Sequence, residues 1–239
     1  MKIFFLTDNK PWFNYLNSWS RHRKEEIHLY CSPGGVDLFS EEIGAGHISP
    51  LDLKSNIDDF KATFDIGFSC HCKQIFPKDL VESIQCFNFH PGFNPHNRGW
   101  FPQVFSIING LPVGATLHKM DVEIDHGPII SQKLVSVNSW DTSETIYSQL
   151  LEAEFFLFDL WIERLLSGDF EEKKPISQGN YNSKSDFKRL CEIDLNKSVR
   201  LGEAIDYLRA MTFEGYDNAF FYDEDGKKVF VSLNLKVRK

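Results

Sequence analysis

Residues 87–102 read Phe87-Asn88-Phe89-His90-Pro91-Gly92-Phe93-Asn94-Pro95-His96-Asn97-Arg98-Gly99-Trp100-Phe101-Pro102, an alternating run that passes straight into a loop of prolines and glycines. Successive side chains on a strand point to opposite faces, so Asn88 and His90 share one face and Phe87 and Phe89 the other. Pro91 biases His90 away from the helical region, and Gly92, Pro95 and Gly99 build an irregular loop directly behind it. Two polar groups therefore meet where a strand ends and a cleft is expected. On these residues alone, Asn88 and His90 either cap the strand end or line a site.

Reading outward towards the N-terminus, the apolar run Lys2–Thr7 stops at Asp8-Asn9, as the first buried strand of an α/β domain does. Pro11 opens a helix with Trp12, Tyr15, Leu16 and Trp19 at helical spacing, ended by Arg21-His22-Arg23-Lys24. Further strands are read at 27–30, 64–69 and 84–89, with turn residues Pro33-Gly34-Gly35 and a short helix from Pro77 through Val81. Towards the C-terminus, 99–109 reads as a helix, 117–120 and 128–137 as strands around a loop, and 142–167 as a long helix. The polar stretch 168–186 behaves as a linker. Ala219–Tyr222, the turn Asp223-Glu224-Asp225-Gly226 and 229–237 form a hairpin signal, since Asp-Gly supplies the positive φ of a tight turn. The pattern predicts an α/β, Rossmann-like, mostly parallel sheet with helices on both faces, over residues 1–168, and a linker, helix and C-terminal β-hairpin over 169–239. Such sheets bind ligands at the carboxyl ends of their strands.

Composition narrows the function classes. The 239 residues carry 26 Lys+Arg against 34 Asp+Glu, a net charge of −8, which opposes unspecific binding to nucleic acid or an anionic bilayer. The apolar runs fall short of the roughly 18 residues that span a membrane, and Met1–Asp8 lacks a cleavable-signal pattern, so a cytoplasmic chain is expected. Five cysteines, Cys31, Cys70, Cys72, Cys86 and Cys191, include no Cys-x-x-Cys and read as reduced thiols. Cys70-His71-Cys72 with His90 and His96 suggests zinc only superficially: no second pair stands at ligand spacing, and no metal is expected. Neither Gly-x-Gly-x-x-Gly nor a P-loop occurs, which leaves a redox dinucleotide or a kinase-type nucleotide without support.

A second polar element, His118-Lys119-Met120-Asp121-Val122-Glu123-Ile124-Asp125-His126-Gly127, carries an acidic loop and an Asp-x-Gly turn. Asp125 alone is either a turn residue or a functional carboxylate. Together with Asn88 and His90 it supplies an amide donor, a titratable imidazole and a group to orient it, a parts list for acyl transfer.

Asn88-x-His90-Pro91, Pro95-x-x-Arg98-Gly99, Pro102, Asn109-Gly110, Gly114-x-Thr116-x-His118 and Asp125-x-Gly127, in this order, resemble the formyltransferase family that uses N10-formyltetrahydrofolate. The resemblance implies the formyltransferase fold and a catalytic trio of Asn88, His90 and Asp125. It also implies a pterin site along Met120, Asp121, Val122, Glu123 and Asp125, held largely by backbone groups. Lys73 and Arg98 are candidates for anionic ligand groups in an acidic chain. The tail from Ile193 to Phe221 is similar to the region after the catalytic core in sugar N-formyltransferases, which implies a dTDP-linked amino sugar as acceptor. Trp100 suits the methyl group of a 6-deoxy sugar. Phe213, Tyr216 and Asn218 are thymine-site candidates, since an aromatic face stacks on a base and an amide reads its edge. The expected acceptor is dTDP-4-amino-4,6-dideoxyglucose, for O-antigen or another surface polysaccharide. The alternatives are a dTDP-3-amino-3,6-dideoxyhexose, a non-catalytic sugar-nucleotide binder on the same fold, and a formyltetrahydrofolate hydrolase. A lone hairpin covers Val229, Val231, Leu233, Leu235 and Val237 poorly, so a homodimer through it is expected.

Overall fold

The computed structural model describes every residue except 56 and 239. In chain order its elements are β1 (Lys2–Thr7), α1 (Lys10–Ser20), β2 (Glu26–Cys31), α2 (Ser40–Gly44), β3 (Ser49–Pro50), α3 (Ile57–Thr63), β4 (Ile66–Cys70), α4 (Lys78–Val81), β5 (Gln85–His90), β6 (Arg98–Gly99), α5 (Pro102–Asn109) and β7 (Gly114–Lys119). There follow β8 (Ile129–Leu134), α6 (Ser143–Ser167), β9 (Tyr181–Asn182), α7 (Lys184–Cys191), α8 (Leu201–Met211), β10 (Ala219–Tyr222) and β11 (Lys228–Val231). By compactness the chain forms two units, each built from separate segments of the sequence. One unit is Met1–His90, Thr116–Ser131 and Leu157–Pro175; the other is Pro91–Ala115, Gln132–Phe156 and Ile176–Lys239.

The main sheet has seven strands in the order β3-β2-β1-β4-β5-β7-β8. The pairs β1·β2, β1·β4, β2·β3 and β4·β5 are parallel, and β5·β7 is antiparallel. Alternation along β1 shows why helices lie on both faces. Phe4 packs edge-on against Phe60 and Phe64 of the α3 region, at centroid distances of 4.6 and 5.3 Å. Its neighbour Phe5 turns the other way, to Trp19 of α1 at 5.7 Å and Phe158 of α6 at 6.1 Å. Buried Phe68, Phe87 and Phe89 continue the aromatic layer, and burial of one such ring is worth roughly 2–3 kcal/mol. A second apolar cluster gathers Val104 and Ile107 of α5, Ile146 and Leu150 of α6, Ala210 and Met211 of α8, and Ala219 of the hairpin.

Three expectations shift. The helix read at 99–109 begins at Pro102: Arg98-Gly99 is a short strand paired in parallel with Tyr181-Asn182, and Phe101 precedes the helix in a left-handed conformation, φ 53°. The stretch read as a linker therefore contains a docked strand, and α7 starts at Lys184, inside its expected limits. The hairpin is shorter than read: pairing ends at Val231, although half-buried and exposed residues still alternate from Val231 through Lys236.

Candidate active site

β5 and β7 build the site because they run antiparallel with Asn88 directly opposite His118 and His90 opposite Thr116. Opposed residues on one face of such a pair are in side-chain contact. The chain after β7 is folded back by Met120 N–H donating to the Cys86 carbonyl at 2.7 Å and Lys119 N–H donating to that of Pro128 at 2.9 Å. Gly127 makes this return possible, since a Cβ there would overlap the Lys119 carbonyl oxygen. Asp125 sits on the returning loop with φ 50°, a left-handed conformation that Asp and Asn tolerate better than most residues.

The three residues singled out from sequence come together. Asn88 Nδ2 donates to Asp125 Oδ1 at 2.9 Å, and His90 Nδ1 lies 3.5 Å from Asp125 Oδ2. His90 is nearly buried, with its side chain 5% exposed, and Asp125 retains 11%. A fourth residue joins them: His118 Nε2 is 3.6 Å from Asp125 Oδ1 and 3.3 Å from Asn88 Nδ2. Its Nδ1 is 3.0 Å from the Lys119 carbonyl, which has no proton to give, so Nδ1 carries the proton. In the neutral ring Nε2 then accepts from Asn88. Both hydrogens of Asn88 Nδ2 thus already have partners, Asp125 and His118. Donation to the carboxylate and to the ring nitrogen fixes the orientation of the Asn88 amide. His118 was legible as part of Gly114-x-Thr116-x-His118, but its place depends on a register that the sequence does not state.

The other candidates are distributed. Met120 packs against the apolar cluster of Phe4, Leu6 and Phe60, so its side chain serves the core. Asp121 accepts from Glu123 N–H at 2.9 Å and lies 3.0 Å from His126 Nδ1. Val122 and Ile124 stay exposed on the loop, and Glu123 is exposed as well. Lys73 is exposed, with its backbone N–H donating to Asp8 Oδ2 at 2.7 Å. Asp8, unmarked in the sequence reading, is a buried tie at the carboxyl ends of the strands, accepting also from Ser32 N–H at 2.9 Å and Ser32 Oγ at 2.8 Å.

In the other unit Arg98 is buried, and half-buried Trp100 lies under Lys184, whose Nζ is 3.8 Å from the ring centroid. Phe213 packs edge-on against Tyr147 at 5.7 Å and exposed Tyr216 at 5.4 Å, and Asn218 Nδ2 donates to the Met211 carbonyl at 3.1 Å. The Asn218 amide is thus partly engaged in holding the turn.

A mostly parallel sheet whose strands β5 and β7 and following loop gather an amide, two imidazoles and a carboxylate carries the groups that acyl-type transfer requires. The chain belongs to the formyltransferase family. Residues 46–159 match the family profile described as formyl transferase, and 186–237 match the N-formyltransferase dimerization C-terminal domain. It is 40% identical, over 100% of its length and 98% of the relative's, to dTDP-4-amino-4,6-dideoxyglucose formyltransferase of Mycobacterium tuberculosis. Among solved structures, a 4-N formyltransferase from Francisella tularensis shares 49% identity with a TM-score of 0.96, covering 99% of this chain and 98% of that one. A sugar N-formyltransferase from a Shewanella species shares 35% identity with a TM-score of 0.94, covering 100% and 99%. Among the described residues no helix is long and apolar enough to cross a membrane.

Proposed function

We propose that this protein transfers the formyl group of N10-formyltetrahydrofolate to the 4-amino group of dTDP-4-amino-4,6-dideoxyglucose. The observation that carries the chemistry is the meeting of Asn88, His90 and Asp125 at one carboxylate. The full-length similarity to a protein named for that acceptor, and to one named for 4-N transfer, supports the choice of sugar.

The amine nitrogen attacks the formyl carbon, the carbonyl electrons move to oxygen, and collapse of the adduct breaks the bond to N10. Charge on that oxygen exists only on the way between the two amides, so donors aimed at it accelerate the step. His90, with its Nδ1 facing the Asp125 carboxylate at 3.5 Å, is the first donor. Asn88 is the second: its 3.3 Å contact to His118 is the weaker of its two and is the one exchanged for the formyl oxygen. The proton lost by the attacking nitrogen goes to Asp125, directly or through a water, and is passed to N10 as its bond to the formyl carbon breaks, so that tetrahydrofolate leaves as the neutral amine. Exposed Val122 and Ile124 offer apolar cover for a pterin edge beside Asp125, with Met120, Asp121 and Glu123 contributing backbone groups. Lys73, Arg98 and Trp100 are assigned to the nucleotide sugar, and Phe213, Tyr216 and Asn218 to its base. Residues 1–168 would then carry the chemistry, and 169–239 would aid nucleotide-sugar binding and pair two copies through the hairpin. A cytoplasmic supply of formylated sugar for a surface polysaccharide such as O-antigen fits this reading.

Incubation with N10-formyltetrahydrofolate and a panel of 3- and 4-amino dTDP sugars, followed by mass spectrometry, tests it. Formylated 4-amino product is expected. Release of free formate without sugar product would mean hydrolysis, and no turnover would mean a binder; either result rejects the proposal.

A further inference from the structure

The stretch 179–182, read from sequence as linker, is hydrogen-bonded through Asn180 and Asn182 to the loop that carries Arg98 and Trp100. Its centre is Asn97, fully buried at φ 49°. Asn97 Oδ1 accepts from Asn180 Nδ2 at 2.6 Å, Asn182 Nδ2 at 3.1 Å and Asn109 Nδ2 at 3.1 Å. Its Nδ2 donates to Ser106 Oγ at 3.0 Å, and its backbone N–H to Asn180 Oδ1 at 2.9 Å. The main chain adds Arg98 N–H to the Asn180 carbonyl at 3.0 Å and Trp100 N–H to that of Asn182 at 2.9 Å. Gly179 permits the approach: its φ is 65°, and a Cβ would overlap the Pro95 carbonyl oxygen. Ser183 then caps α7, which brings Lys184 over Trp100 and stacks Phe187 on Phe101 at 4.0 Å.

A loop rich in proline and glycine gains none of this order by itself, and fixing it in advance removes an entropic cost from ligand binding. The groups so fixed are the cation and the aromatic ring assigned above to the acceptor, with Lys184 as a second cation beside them. We propose that residues 179–182 are a positioning segment for the nucleotide sugar, acting through Asn97 and Asn180 to hold Arg98 and Trp100 in their binding geometry. This rests on the acceptor reading given above.

The test is steady-state kinetics on full-length Asn180→Ala and Asn182→Ala, varying each substrate in turn. Asn180→Ala removes two hydrogen bonds to Asn97, and a rise of about ten-fold in the KM for the dTDP sugar is expected. The KM for N10-formyltetrahydrofolate and kcat at saturating acceptor should stay within about two-fold. Asn182→Ala, which loses one side-chain bond, should show the same split more weakly and carries the test if the first variant does not fold. An unchanged acceptor KM in a folded variant overturns the inference alone. So does a fall in kcat with both KM values moving together, which would mark a merely structural role. No transfer by the unaltered protein to any dTDP amino sugar overturns the acceptor reading, and the inference with it.

Discussion

Asp125 is held in a left-handed conformation that asparagine also tolerates, so Asp125→Asn removes the charge while keeping shape and backbone. A fall in kcat of roughly 10²-fold or more is expected, with melting temperature nearly unchanged. Asn88→Ala should cost a similar factor, because it takes away the donor proposed for the formyl oxygen and the 2.9 Å hydrogen bond to Asp125. Rates near those of the unaltered protein in both would remove the trio from the mechanism. The thiols answer a different question. Burial, and then nearby Asp8, pushes the Cys31 thiol up to about 11, and burial drives Cys72 and Cys86 higher still. A raised thiol pKa means less thiolate at pH 8, so alkylation of these three should be slow in the native protein and fast once it is denatured. Asn88, His90 and Asp125 could be picked from sequence because strand alternation and an Asp-x-Gly turn are local signals. The ties that Asp8 makes and the place of His118 beside Asn88 could not, since strand order and register, not local pattern, set them.

Among the elements, the β7–β8 loop is the one on which the site depends most. Gly127→Ala would drive a methyl group into the Lys119 carbonyl, and the loop must shift or open. A destabilisation of about 2–3 kcal/mol by denaturant titration is expected, with a loss of kcat larger than that loss of stability explains, because Asp125 moves with the loop. Stability and turnover both unchanged would show that the return is not tight. The central strands and α6 were legible because continuous apolar runs and a long 3.6-residue period are strong signals. Misread elements share a cause: β6 and β9 have two residues each, too few for any period to show, and they exist only because they pair with one another. The same holds for the start of α5, which waits until Phe101 has turned the chain.

At the scale of the whole molecule, the profile match over 186–237 names a dimerization domain, and Tyr222 and Phe230 of the hairpin remain about half exposed, at 51% and 47%. Light scattering behind size exclusion should give a dimer for the unaltered protein. Phe230→Glu should shift it towards monomer at low micromolar concentration, since it replaces an apolar ring by a carboxylate whose desolvation Lys228, 5.0 Å from that ring, offsets only in part. A dimer that withstands this change would place the contact elsewhere in the tail. The acidic balance of the chain was readable at once, whereas the interleaving of its two compact units was not, because composition does not change at their borders.

The bond from Asn180 to Asn97 spans 83 positions of the chain, and that fact has a bearing on biogenesis. During synthesis the loop around Asn97 leaves the ribosome well before the segment that fastens it. Until then Asn97 has only its nearer partners Ser106 and Asn109, and solvent must stand in for Asn180 and Asn182, so a nascent chain can have its first strands paired while this loop is still unfastened.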